Sequence, residues 1–288
     1  MVETSPNERV LLFPATGTLY VAGDIHGNRR DFLEIVRLFR RTYARNKMSF
    51  LLFLGDLVHG PSDASKQSWP RELGEHFPDE SVAVIRDYLR LKKRFAGNIF
   101  SLLGNHDHSH VGGPHTGKFY EDETLHLEAQ MSPKLLAQMK ELFARLPLLA
   151  VTRAGLVFSH ASPSAALDGL DDVDQVELEG YESCGVQQML QSGFLGQILW
   201  RRYAPAPEVD EYLAKTSRGG FANRIAVYSH DVVDEGIARI EPNQLCVCTS
   251  FGVYDAQKRY LKLDLSRRYE RLDDLVEGRE IRRLWPDA

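Results

Sequence analysis

The chain has 288 residues, enough for one large α/β domain, or two small ones, with a sizeable core. With 26% charged and 43% hydrophobic residues it has a folded rather than a disordered composition, and its net charge of −5 gives no electrostatic support for nucleic-acid binding. No apolar run approaches the roughly 20 residues that span a membrane, and MVETSPNERV lacks the basic start and apolar core of a signal peptide, so a cytoplasmic protein with no membrane partner is expected.

Strands and helices alternate through the first half. Residues 19–22 and 50–54 are continuous apolar runs ending in Gly-Asp, as strands buried on both faces should be. Between them residues 28–45 repeat apolar side chains at helical spacing (Phe32, Ile35, Val36, Leu38, Phe39), with Asn28 as N-cap. Residues 82–95 read as the next helix and 99–103 as the next strand, so Asp24, Asp56 and Asn105 leave the carboxyl ends of three successive strands. Right-handed crossovers bring those ends to one sheet edge, where α/β proteins place ligands. The second half is less regular: a helix over 132–146 starting at Pro133, short strands over 148–152, 155–159 and 224–229, and a closing pair of strands over 247–250 and 259–265 joined by a turn. Two stretches read as insertions bordering the site, 60–80 and 108–128; the second carries His108, His110, His115 and His126, expected in a solvated loop. The acidic stretch over 168–182 reads as solvated loop as well, with a surface for basic peptides as its functional alternative. Cys184, Cys246 and Cys248 are read as small hydrophobes.

Five strand ends carry metal-type donors: Asp24 and His26 in GDIHG, Asp56 in GDLVHG, Asn105 and His106 in GNHD, His160 in FSHAS and His230 in YSHDV. Any one of them is as well explained by a turn or a cap. Together they supply oxygen and imidazole ligands, without thiolate, for two ions of the Mn, Fe, Zn, Co or Ni type. The Asp24-Ile25-His26 spacing points both side chains at one ion, Asp56 has a second oxygen free to bridge, and Asn105, His160 and His230 complete the other site. Two ions roughly 3.5 to 4 Å apart can activate a bridging water and clamp a phosphoryl group.

The order GDxHG, GDxV, GNHD, strand-His and later His resembles the calcineurin-like metallophosphoesterases, and more narrowly the phosphoprotein phosphatase branch with its bacterial and phage members. The narrower likeness rests on the trailing glycine of GDIHG, on GLVFSHASPS and on ILWRRY. It also rests on Ser229-His230-Asp231-Val232, which lacks the second histidine common in nuclease and phosphodiesterase relatives. The motifs cover about residues 19–265 of a chain expected to be a single domain over 1–288. The resemblance implies an α/β fold, a four-layer α/β/β/α sandwich with two mixed β-sheets. It implies one metal ion on Asp24, His26 and bridging Asp56, and another on Asp56, Asn105, His160 and His230. His106 would protonate the leaving oxygen, its ring oriented by Asp107 or another acidic group.

The second motif departs from that family. Its usual Gly-Asp-x-Val-Asp-Arg-Gly is here Gly55-Asp56-Leu57-Val58-His59-Gly60, without the Asp and the Arg. Protonated His59, or Lys66 or Arg71 from the following insertion, is a candidate to compensate. The family's other phosphate-binding arginine follows the tryptophan, which points to Arg202, then Arg201, with Arg218 of SRGG a further contender. The expected activity is that of a phosphatase using two divalent metal ions, manganese first in assay. It would hydrolyse protein phosphoserine, phosphothreonine or phosphotyrosine, or a small phosphorylated substrate, by direct attack of a metal-bridging hydroxide. A diadenosine-polyphosphate hydrolase is the alternative within the same fold, and a non-catalytic scaffold ranks last because every ligand persists.

Overall fold

Side chains along a strand alternate between the two faces of a sheet, and here both faces are buried. In β3 (Thr18–Ala22) and β4 (Ser49–Phe53), Leu19, Val21, Phe50 and Leu52 join one core cluster, while Tyr20, Ala22, Leu51 and Phe53 join another. The computed structural model describes residues 1–240 and 242–288. Its first sheet has five strands: β3, β4 and β5 (Ile99–Ser101) run parallel, and β11 (Arg259–Asp264) and β12 (Ile281–Arg283) extend it antiparallel on the β3 side. The second has seven strands in the order β1 (Glu3–Thr4), β2 (Val10–Phe13), β6 (Leu149–Thr152), β7 (Leu156–Phe158), β8 (Ile225–Tyr228), β10 (Gln244–Val247), β9 (Ile237–Ile240).

The inner cluster fills the space between the sheets, with Phe13, Phe158, Val227 and Leu245 of the second meeting Val21, Leu52 and Leu261 of the first. Helices cover the outer faces. On the five-stranded sheet lie α1 (Arg29–Tyr43), through Phe32, Ile35, Val36 and Phe39, and α2 (Ser81–Arg94), through Val84, Ile85 and Tyr88. On the other side α8 (Phe194–Trp200) and α9 (Ala206–Thr216) bury Ile198, Val209 and Tyr212, with α5 (Pro133–Ala144) contributing Met139 and Phe143. Shorter helices occupy the connections: α3 (Asn105–His108), α4 (Glu123–Ala129), α6 (Leu170–Val173) and α7 (Val186–Gln191). This is the four-layer α/β/β/α sandwich with two mixed sheets.

Two sequence expectations are corrected. The closing strands do not pair: β10 hydrogen-bonds β8 and β9 in one sheet, while β11 pairs β3 and β12 in the other, so the chain crosses between sheets over 248–258. The strand ends that carry Asp24, Asp56 and Asn105 do share one sheet edge, as expected, but the site as a whole does not lie on it. The ends of β3, β4 and β5 belong to the first sheet and those of β7 and β8 to the second.

One buried ion pair fixes the start of α1, a turn after the GDIHG segment. Asp31 is fully buried, and its Oδ2 accepts from Lys258 Nζ at 2.6 Å and Ser250 Oγ at 2.8 Å, while its Oδ1 accepts from Trp285 Nε1 at 2.9 Å. It thereby ties α1 to the inter-sheet crossover and to the chain's last segment. Removing one partner of a buried pair leaves a charge with no compensation, so Lys258→Met should cost roughly 3 kcal/mol of stability in urea unfolding. An unchanged midpoint would show the pair to be dispensable.

Candidate metal centre

The five motif segments meet where the two sheets' strand ends adjoin. After β3, the Ile25 and His26 N–H groups both donate to the main-chain oxygen of Asp56, at 3.0 and 2.8 Å, locking the first two motifs together. Six non-glycine residues among those described have positive φ, and four of them carry the site: His26 (49°), Asp56 (48°), His59 (67°) and His230 (67°). Such backbone costs an L-residue about 1–2 kcal/mol, and strain of this kind gathers where function over-determines the conformation. The motif glycines serve close approach: a Cβ on Gly104 would lie 2.1 Å from Asp56 Oδ1, and one on Gly55 2.8 Å from Gly104 Cα.

Second partners set the ring orientations. His26 Nδ1 donates to the His59 carbonyl oxygen at 2.9 Å, which leaves Nε2 as an acceptor facing Asp24 Oδ2 at 3.9 Å and Asp56 Oδ2 at 3.6 Å. His160 Nδ1 donates to the Leu54 carbonyl oxygen at 3.0 Å, which leaves its Nε2 facing Asn105 Oδ1 at 2.9 Å, His230 Nδ1 at 3.2 Å and Asp56 Oδ2 at 3.5 Å. A ring nitrogen fixed by a carbonyl on its far side is the arrangement of a metal-ligating histidine. Asp56 Oδ2 lies between the two imidazoles, while its Oδ1 accepts from the His106 N–H at 2.9 Å. Burial holds His26 and His230 well below the usual histidine pKa and lowers His160, so the rings are neutral donors at neutral pH. Burial pushes Asp56 well above the ordinary carboxylate value. Electron-pair donors crowded together are suited to cations, and two such groups share Asp56 and could each hold a metal ion: Asp56 with His26 and His106, and Asp56 with His160 and His230.

His106 is buried beside them, at the start of α3, and lines a cleft of about 330 Å³ over the centre. Its Nδ1 meets His59 Nδ1 at 3.1 Å, Thr116 Oγ1 at 3.3 Å and Glu123 Oε2 at 3.4 Å. Asp107, expected to orient that ring, instead accepts from the Leu57 and Gly104 N–H groups at 3.0 and 3.2 Å, bracing the second and third motifs; burial raises its pKa to about 6. The carboxylate beside His106 is Glu123, in the first turn of α4. Burial alone would raise its pKa, but the neighbouring His106 and Thr116 and the Phe119 N–H, which donates to its Oε1 at 2.8 Å, hold it below the usual value, so it is an anion. Sequence reasoning missed Glu123 because its role depends on how the 108–128 stretch folds over the site; the one signal available was the absent Asp of the second motif.

The candidate phosphate-binding groups separate. Arg202 lines the cleft, its Nη1 2.5 Å from Asp231 Oδ1. Arg201 is bound to Glu208 and Arg218 to Asp171, and neither lines the cleft. His59 lies behind His106, 2% exposed, with Nε2 3.0 Å from His110 Nε2; burial drives it toward the neutral form, against the expectation that it meets phosphate as a cation. Lys66 and Arg71 are exposed and outside the lining. The solvated-loop expectation for the histidine cluster fails for His108 and His110, both buried, with Nε2 of the first 2.7 Å from the Leu178 carbonyl oxygen and Nδ1 of the second 2.9 Å from Glu128. In the acidic stretch, Asp174 accepts from the N–H groups of Asn7 and Arg9 and fastens the first residues.

Two mixed sheets with clustered Asp and His donors at their joined strand ends define the metallo-dependent phosphatase class. A family model described as calcineurin-like phosphoesterase matches residues 17–234, and the chain belongs to that family. It is 24% identical over 232 residues to the serine/threonine-protein phosphatase PP2A-like PPG1 of Candida albicans, a match covering 78% of this chain and 46% of that protein, so the chain spans about half its length. Among solved structures it resembles a Saccharomyces cerevisiae protein serine/threonine phosphatase with similarity to human phosphatase PP5 (TM-score 0.61, 17% identity, 87% of this chain and 74% of that one). It also resembles a cold-active protein-tyrosine phosphatase of a psychrophilic Shewanella species (TM-score 0.54, 12% identity, 92% and 79%). These structural likenesses concern the fold. No helix among the described residues is long and apolar enough to cross a membrane.

Calorimetric titration of metal-free protein with Mn²⁺ should find two sites. His230→Ala should leave one, and Asp56→Ala should weaken both by more than about tenfold. A single site in the unaltered protein would contradict the shared Asp56.

Proposed function

We propose that the protein is a dinuclear metal-dependent phosphomonoesterase acting on phosphoserine or phosphothreonine in proteins. The observation that carries this reading is Asp56 Oδ2 between His26 Nε2 and His160 Nε2, at 3.6 and 3.5 Å, with the His106 ring in the same cleft. Asp24, His26 and Asp56 would hold one ion, and Asp56, Asn105, His160 and His230 the other. When bound, two divalent ions supply charge neutralisation for the phosphoryl oxygens and a water of lowered pKa.

The remaining chemistry belongs to side chains. With Nδ1 of His106 held from behind, its Nε2 is left for the cleft, where it donates a proton to the departing oxygen. Glu123, anionic at 3.4 Å, stabilises the protonated ring and restrains its rotation. Arg202 meets the phosphate from the rim. No nucleophilic Cys or Ser is needed, so no phosphoenzyme is expected. Protein substrates are favoured by the Candida albicans relative, whose name is that of a serine/threonine-protein phosphatase.

Purified protein should hydrolyse p-nitrophenyl phosphate with added Mn²⁺ and lose that activity on chelation; activity that survives thorough metal removal would sink the reading. His106→Asn should lower kcat by about 10²- to 10⁴-fold with both ions still bound. Glu123→Gln should slow phenyl phosphate, whose leaving oxygen needs the proton more, by a larger factor than p-nitrophenyl phosphate. Equal losses on the two substrates would remove Glu123 from the acid's support.

A further inference from the structure

A phosphomonoester brings nearly two negative charges to the cleft at neutral pH. Among the described residues two cationic side chains line that cleft, Arg202 and Lys118. They come from different parts of the chain: Arg202 follows α8, while Lys118 lies in the stretch that also delivers Glu123. Much of the Arg202 charge is already matched, by Asp231 Oδ1 at 2.5 Å and the His230 carbonyl oxygen at 3.3 Å.

Lys118 is held differently. Its Nζ stands 3.9 Å from the centroid of the Phe251 ring and 5.1 Å from that of Phe119. Those two rings pack in turn on the imidazole of His26, at 4.8 and 5.9 Å between centroids. An aromatic face steadies an ammonium without neutralising it, so the full charge remains for an incoming anion. The residue as a whole is exposed, and its ammonium end is turned into the cleft against the two rings. Burial lowers the pKa of this ammonium, and the nearby Asp56 and Asp24 carboxylates oppose that shift.

We propose that Lys118 is a second phosphate-binding cation of this site, working alongside Arg202 and supplied by the 108–128 stretch rather than by the second motif. The assignment rests on the phosphatase reading for its substrate but not for its test. A lysine ammonium is a compact point charge rather than a planar fork. It therefore supplies attraction with little demand on the orientation of the phosphoryl group, leaving orientation to Arg202 and the centre itself.

The test is calorimetric binding of inorganic phosphate to the Mn²⁺-loaded protein, in the unaltered chain, Lys118→Met and Lys118→Arg. Loss of one charge-assisted contact should raise the phosphate Kd by about tenfold in Lys118→Met, with Lys118→Arg within about threefold of the unaltered protein. In p-nitrophenyl phosphate assays the Met variant should show its larger change in KM rather than kcat. An unchanged phosphate Kd in Lys118→Met overturns the proposal, and so does an equal loss in Lys118→Arg, which would mark Lys118 as packing for the aromatic rings. Phosphate binding that depends on Lys118 in a protein without hydrolytic activity would uphold this assignment while overturning the phosphatase reading.

Discussion

The Asp56 carboxylate is 1% exposed, and most of the site is arranged around it. Its main-chain oxygen receives the N–H groups of Ile25 and His26, its Oδ1 receives the N–H of His106, and its Oδ2 faces Nε2 of both His26 and His160. A buried carboxylate with so many donors of electron pairs about it is costly unless cations arrive. The fold bears that cost through its backbone, with left-handed φ at His26, Asp56, His59 and His230 and close contact at Gly55 and Gly104. The two sheets are stacked so that β3, β4 and β5 present their ends beside those of β7 and β8. Metal binding would therefore be coupled to the fold, because ions would relieve the repulsion among these buried groups.

The surroundings of His106 are built by a different part of the chain. His59 stands three residues after Asp56, where the resemblance leads one to expect an aspartate, and its ring contacts His106 at 3.1 Å. A neutral imidazole cannot supply the negative charge that a protonated His106 wants. Glu123 supplies it from α4, across a stretch of chain that looks inserted in the sequence. The same stretch delivers Thr116 to His106 and Lys118 to the cleft. A change at the second motif and a structured segment over 108–128 thus read as one compensated design, with charge lost in one place and returned from another.

Much of this was legible in the sequence, for physical reasons. Apolar runs ending in Gly-Asp gave away β3 and β4, because strands buried on both faces carry no polar alternation. Asn28 announced the start of α1, where its side chain caps the main chain, and Pro133 that of α5, where it takes the first helical position. The donor residues at strand ends were found because they are short-range features, each a residue or two from a strand. What was hidden depends on distance in sequence. β10 and β11 looked like a hairpin because local signals cannot say that two neighbouring strands belong to different sheets. Asp107 stands out as the orienting group because adjacency is visible in a sequence, whereas the packing of α4 beside His106 is not. His108 and His110 looked like loop residues until burial against Leu178 and Glu128 gave them partners. Helices α6 to α9 have weak or short periodicity and left little trace.

The central claim is that one carboxylate oxygen of Asp56 serves two ions at once. Electron paramagnetic resonance of the protein loaded with two equivalents of Mn²⁺ tests it directly, because ions sharing a bridging ligand couple magnetically. The account predicts the multiline spectrum of an exchange-coupled pair, replaced by that of isolated ions in Asp56→Asn. Two uncoupled Mn²⁺ ions in the unaltered protein would contradict it.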